Sequence, residues 1–272
     1  MDKLCYEILD KKGYPNVDLI RLEDFETKNL ISIKGERTFS EYCWTLTPFT
    51  SKIVFDRNPD ALRVTYLDAD LWFRKSPKPI FKEFENSKKQ VLITEHSYDE
   101  DYDQSEKYGK YCVQFMTFKR GGERIRKWWE EKCLEWCFAK FENGKFGDQK
   151  YLDDWLERFP QQVHVLSQKE SIQAPWNAKI FLSSSAIIWH FHGLRVQKNR
   201  ILCFLRYKIP YPVIEKIYDP YIHEIRKIVK DLTIEISQGK IESQFIRILR
   251  RFDSYICTFG KKFSKYRISR LE

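Results

Sequence analysis

The sequence predicts an α/β fold: a mostly parallel sheet flanked by helices, with a basic helical tail behind it. Three observations predict it. Short β-forming runs alternate with helix-periodic runs from about residue 15 to residue 200. After about residue 205 the strand signals stop and a basic helical pattern takes over. The composition, 42% hydrophobic and 32% charged over 272 residues, suits one sizeable packed domain and contains no low-complexity stretch. The expected division is 1–205 for the α/β domain and 206–272 for the helical region.

Taken in order, residues 4–9 read as a short helix. Gly13-Tyr14-Pro15 is a turn signal, and residues 16–22 after it read as a strand. Residues 40–55 carry apolar positions at helical spacing, with Ser40 the expected N-cap and Pro48 expected to end or kink the helix. Residues 62–67 are rich in β-formers and run into Asp68-Ala69-Asp70. Residues 90–95 and 111–118 read as two further strands. Residues 123–141 form a long amphipathic pattern carrying Trp128, Trp129 and Trp136. A second helix is expected from Gly147-Asp148 through Trp155, then short strands at 163–166 and 186–190.

Charge is uneven. Residues 222–272 hold twelve Lys/Arg against six Asp/Glu, which is six of the nine net positive charges. The basic character therefore belongs to the tail, and with no zinc, Gly-rich or aromatic-basic signature it does not point to nucleic acid. Ile225, Ile228, Val229 and Leu232, then Phe245, Ile246, Ile248 and Leu249, recur near helical spacing among Lys and Arg. Such a pattern suits either packing on the domain or an anionic membrane surface. No apolar run approaches the ~20 residues that span a bilayer, and the start is not of signal-peptide type, so the expectation is a cytoplasmic chain, peripheral on the inner face of the membrane. The seven cysteines are scattered, and Cys133 and Cys137 sit in a Trp-rich helix, so they read as reduced core thiols.

One motif stands apart. Asp68-Ala69-Asp70 lies between an apolar strand and Leu71-Trp72-Phe73. Two carboxylates between hydrophobic segments are costly to bury unless paired or metal-bound. Ligands of α/β sheets collect at strand carboxyl ends, and hard oxygen ligands suit Mg²⁺ or Mn²⁺. Alternate residues on an extended chain face opposite ways, so both carboxylates converge only if the chain turns there. Asp99, Asp101 and Asp103 repeat the spacing in a polar stretch and read as a solvated loop.

Residues 64–73, Val-Thr-Tyr-Leu-Asp-Ala-Asp-Leu-Trp-Phe, resemble the metal-binding strand of GT-A-fold glycosyltransferases, especially the family 8 type and bacterial nucleotide-diphospho-sugar transferases of cell-surface polysaccharide, lipopolysaccharide included. Three more segments are similar, in family order: residues 111–118, Gly147-Asp148-Gln149, and Trp189-His190-Phe191-His192-Gly193. The resemblance implies a metal-dependent transferase taking sugar from a nucleotide-diphosphate donor such as a UDP-sugar, with retention, for a glycan or lipid-linked acceptor. It implies Asp68, Asp70 and His190 as ligands of Mn²⁺ or Mg²⁺. Asp148 and Gln149 then face the transferred sugar as catalytic residues. Cys112, Gln114, Trp176, Asn177, His192 and Gly193 line the substrate. Cys112 replaces the usual Asn, and a thiol cannot make the paired hydrogen bonds of an amide. The strand-helix unit that opens such enzymes is not recognisable before residues 4–9. These departures leave a second expectation: a transferase-like module that binds without catalysis.

Overall fold

The computed structural model describes residues 3–197, 200–203, 207–238 and 269–270. Its elements in chain order are α1 (Lys3–Lys12), α2 (Lys28–Lys34), α3 (Phe39–Arg57), β1 (Arg63–Leu67), β2 (Leu71–Phe73), α4 (Lys78–Ser87), β3 (Val91–Glu95), α5 (Ser105–Tyr108) and β4 (Tyr111–Lys119). Then come α6 (Glu123–Glu135), α7 (Trp155–Arg158), β5 (Val163–Val165), β6 (Ile172–Gln173), β7 (Ile188–His190), β8 (Leu194–Gln197), β9 (Arg200–Cys203), α8 (Tyr211–Val213), α9 (Asp219–Gln238) and β10 (Ser269–Arg270).

The α/β class is as expected. The central sheet has the order β1-β4-β3-β5, and β2-β7-β6 and β10-β9-β8 form two smaller sheets. The parallel arrangement is met only in part. β3–β5 and β6–β7 pair parallel, whereas β1–β4, β3–β4, β2–β7, β8–β9 and β9–β10 pair antiparallel. The cause is visible between β3 and β4, where four-residue α5 is the longest helix and no long helix carries the chain back for a parallel crossover.

Alternation along the strands splits the core. Val91 and Ile93 of β3 face one side with Phe55 of α3 and Ile125 and Trp129 of α6. Leu92 faces the other with Ile80 and Phe84 of α4 and Ile188 of β7. The sheet is therefore covered by helices on both faces, which explains why Val91 to Ile93 and most of β4 are buried on both sides.

Several local expectations give way. Residues 16–22 form no strand: Asn16 sits at φ 62°, Leu22 begins a 3₁₀ turn, and among the described residues no strand pairs with them. Helix α3 starts one residue before Ser40, and its N-cap is Thr38 in a capping box with Glu41. Pro48 neither ends nor visibly breaks it, and α3 runs on to Arg57. Proline removes the donor that would bond the Trp44 carbonyl, and the Thr45 and Thr47 hydroxyls donate to the neighbouring Glu41 and Cys43 carbonyls. Helix α6 stops at Glu135, short of 141, because Trp136 is extended and the Arg37 guanidinium takes the carbonyls of Cys133, Leu134 and Cys137. The helix expected from Gly147 is instead a 3₁₀ turn at Lys150–Asp154 leading into four-residue α7. Beyond residue 205, β10 pairs with β9, an exception to the expected end of strand structure.

Cys112, Cys133 and Cys137 are buried free thiols, as expected of core positions, whereas Cys5 and Cys43 are exposed, on α1 and α3, and do not belong to the core. α8 passes through a π turn (Ile214–Tyr218) into α9. Tyr221, Ile222 and Ile225 at the start of α9 pack on Trp72, Trp189 and Phe191, and the Tyr221 ring stacks on Phe191 at 3.7 Å. The apolar stripe of the tail at 245–249 and the basic segment from 261 to 267 lie outside the described residues. Among the described residues, no helix is long and apolar enough to cross a membrane.

Candidate metal centre

β1 and β3 both pair antiparallel to β4, so their carboxyl ends share one edge of the sheet with the start of β4. That edge holds Asp68, His96 and Cys112. The turn required by the Asp-x-Asp motif is present: the chain leaves β1, the Leu71 amide donates back to the Asp68 carbonyl at 3.3 Å, and β2 begins in a different sheet. This sheet-to-sheet corner lets both carboxylates face one point.

β2 pairs with β7 so that Leu71 lies opposite His190, and the Phe191 amide donates to the Asp70 carbonyl at 2.9 Å. The His190 Nε2 lies 3.0 Å from Asp70 Oδ1 and 3.9 Å from Asp68 Oδ2. One ligand atom from each of Asp68, Asp70 and His190 falls within 4.8 Å of the others. Two carboxylate oxygens and an imidazole nitrogen converge, a donor set that fits a hard divalent cation such as Mn²⁺ or Mg²⁺. No other group of this kind occurs among the described residues. Asp99 and Asp103 instead cap turns in their loop, Asp99 itself being buried, and Asp101 pairs with Lys179.

The electrostatics agree. Burial pushes the Asp68 carboxyl up, with the Asp70 charge adding to it, against His190 and a 2.9 Å hydrogen bond donated by Tyr66. Burial works the same way on Asp70, but its hydrogen bond with His190 and that ring's charge prevail and hold it below the usual range. Two half-buried carboxylates that share one imidazole are only partly compensated, and a cation between them would complete the balance.

Asp148 stands behind the pair. It is 3% exposed and its Oδ2 has no hydrogen-bond partner. Burial raises its carboxyl to about 7, and the Asp68 charge adds to that, while the Thr47 hydroxyl and local backbone amides oppose it. It is placed by Gly147, whose φ is +53° and whose added Cβ would sit 3.3 Å from the Trp44 ring. A left-handed backbone costs a non-glycine residue about 1–2 kcal/mol. Gly147→Ala is therefore expected to destabilise the fold by about that much and to displace Asp148. A thermal melt indistinguishable from the parent chain removes this account of the loop.

The other expected site residues divide. Cys112 is buried beside Asp68 and Asp148, whose charges add to burial in raising its thiol. Gln149 keeps both ends of its amide on backbone: Nε2 donates to the Tyr108 carbonyl at 2.8 Å and Oε1 accepts from the Val113 amide at 3.4 Å. Trp176 and Asn177 are buried, and both donate to the His96 carbonyl, at 2.7 and 3.0 Å. The Trp176 ring stands edge-on to His190 and His192, with centroids 5.3 and 5.5 Å apart. His192 is exposed next to the site, and Gly193 at φ +83° turns the chain after it. Gln114 is 1% exposed, and its Oε1 accepts a hydrogen bond from His190 Nδ1 at 2.5 Å.

Three contributors escaped the sequence. Tyr66, two residues before Asp68 on the same strand face, was legible from that spacing alone. Thr47 lies inside a helix and gives no local sign of its proximity to Asp148. His96 gives none either: buried and pushed down to about 3 by desolvation, it stacks on Tyr98 and anchors Trp176 and Asn177.

No protein-family model matches the chain. It is 32% identical over 215 residues to the uncharacterized protein YfnF of Bacillus subtilis (strain 168), covering 72% of this chain and 71% of that one. It is 28% identical over 251 residues to the uncharacterized protein YfnD of the same organism, covering 85% and 79%. Among solved structures it is similar to mouse xyloside xylosyltransferase 1 in its apo form, at TM-score 0.48 and 14% identity over 70% of this chain and 82% of that one. A glycosyltransferase involved in glycosylation of the major capsid of PBCV-1 matches at TM-score 0.43 and 12% identity, over 70% and 84%. Likenesses of that degree assign no chemistry, which is carried by the side chains described above.

Proposed function

The chain belongs to the family of the Bacillus subtilis protein YfnF, and we propose that it is a metal-dependent glycosyltransferase. It takes a sugar from a nucleotide-diphosphate donor, a UDP-sugar by resemblance, and passes it with retention to a cell-surface glycan or lipid-linked acceptor. The observation that carries this reading is the convergence of Asp68, Asp70 and His190 at the strand-end edge, with a buried carboxyl oxygen of Asp148 left without a partner beside them.

Sugar transfer leaves negative charge on the departing diphosphate, and a divalent cation bound there supplies charge stabilisation worth several kcal/mol. Asp68, Asp70 and His190 hold that cation. Asp148 accepts hydrogen bonds from sugar hydroxyls, which is what its orphaned Oδ2 lacks. Gln149, through its two backbone hydrogen bonds, holds the start of β4 against residue 108 and so keeps Cys112 and Val113 in place under the sugar. Trp176 forms an apolar wall beside His190 and His192.

The test is a panel of UDP-, GDP- and CMP-sugars assayed with Mn²⁺ and with EDTA. Mn²⁺-dependent hydrolysis or transfer from a UDP-sugar is expected. Mn²⁺-dependent binding without turnover supports the non-catalytic module instead, and no nucleotide-sugar binding at all defeats both.

A further inference from the structure

Gln114 lies where β4 departs from its neighbour. The β3–β4 register jumps, so that two steps along β3, from Leu92 to Thr94, match five along β4, from Thr117 to Cys112. Irregularities of this kind re-aim side chains. On its other side β4 stays in register with β1, and the Gln114 carbonyl accepts from the Asp68 amide at 3.0 Å. Its side-chain oxygen accepts from His190 Nδ1 at 2.5 Å, while His190 Nε2 faces Asp70 at 3.0 Å. One buried residue thus touches two of the three cation-ligating residues, one through its backbone and one through its amide.

A neutral imidazole carries one N–H, and the partner of one ring nitrogen decides which nitrogen is free to ligate. With Gln114 accepting at Nδ1, a proton is kept there, and Nε2, which shares its proton with Asp70 while no cation is bound, is the nitrogen that can give that proton up to a cation. Without that acceptor, a buried Nδ1–H is unsatisfied, and the favoured tautomer places the proton on Nε2, where Asp70 accepts it. That tautomer cannot bind a cation at Nε2.

We infer that Gln114 is a positioning residue that fixes the tautomer and orientation of His190 toward the metal, rather than a substrate contact. The inference rests on the metal-centre reading above, and the measurements separate the two. Gln114→Leu removes the acceptor at similar volume, and Gln114→Glu keeps one. In metal-free protein, ¹⁵N NMR of the ring is expected to show a hydrogen-bonded Nδ1–H in the parent and in Gln114→Glu, and protonation at Nε2 alone in Gln114→Leu. Mn²⁺ binding by calorimetry is expected to weaken roughly 10–100-fold in Gln114→Leu. In a His190→Ala background the same change is expected to add nothing, an outcome that a merely structural residue does not produce.

If Gln114→Leu does not fold, Gln114→Met, flexible and without a strong acceptor, takes its place. An unchanged tautomer together with unchanged Mn²⁺ affinity in either folded variant overturns the inference. Loss of Mn²⁺ affinity of the same size in the His190→Ala background overturns it too. A parent chain that binds no Mn²⁺ yet shows the tautomer switch defeats the metal reading while upholding the contact between Gln114 and His190.

Discussion

Asp70→Asn is expected to abolish Mn²⁺-dependent donor binding and turnover while leaving the chain folded. Asp70 is one of the two carboxylates of the centre, and the cation it would hold would supply several kcal/mol, so the loss should reach roughly a thousandfold in turnover. Stability should hardly change, because the Asp70 side chain is 38% exposed and its pairing with His190 is partly screened by solvent. Asp101→Asn is the internal control. It has the same residue type in the same Asp-x-Asp spacing, but its side chain is 69% exposed and paired with Lys179 away from the centre. Isothermal titration with Mn²⁺ and a UDP-sugar reads both variants. Equal effects from the two changes remove the special standing of Asp70.

Asp148→Asn is expected to raise stability at pH 8 and to destroy activity. Its carboxyl rises from 3.8 to about 7, chiefly through burial. Below the unfolded value both states carry the proton and the group has no cost. Between 3.8 and about 7 the native state keeps a proton that the unfolded state has released, so stability falls as pH rises through this window. Above it the native state bears the full cost of a buried charge, on the order of 4 kcal/mol. Asparagine removes that charge. In EDTA, the variant should therefore melt at least about 5 °C above the parent at pH 8, at roughly 2–4 °C per kcal/mol, and the gain should vanish near pH 4. Turnover should drop roughly a hundredfold, since hydrogen bonds to a charged acceptor contribute about 1.5–3 kcal/mol. Such a pairing of gained stability and lost activity is what a functional carboxylate held against its own solvation predicts. A variant that is less stable at pH 8, or fully active, refutes this account of Asp148.

Much of the centre was legible along the chain. Asp68 and Asp70 declared themselves by lying between apolar segments, where carboxylates need a partner, while the same spacing at Asp99, Asp101 and Asp103 lay in a polar loop. His190 was legible only through motif order, since a histidine in an apolar strand carries no local mark of what it faces. The strands at 63–67, 91–95 and 111–119 were legible because they are rich in β-branched, aromatic and other apolar residues. The failures were local elements decided by distant partners. Helix α6 ends where Arg37, about a hundred residues earlier, takes its last carbonyls.

The sequence by itself determined the α/β class, the carboxylate pair and its place at a strand end, because burial patterns and the cost of burying charge are written in residue order. Tertiary structure alone decided that β1 and β2 belong to different sheets, so that the corner between them turns both carboxylates onto His190. It also decided that Gln149 is held by backbone, that Asp148 keeps an unpartnered oxygen, and that Gln114 reaches Nδ1 of His190. Those outcomes depend on pairing and register between residues 36 to 122 positions apart, and a register shift changes which side chains meet without changing any local pattern.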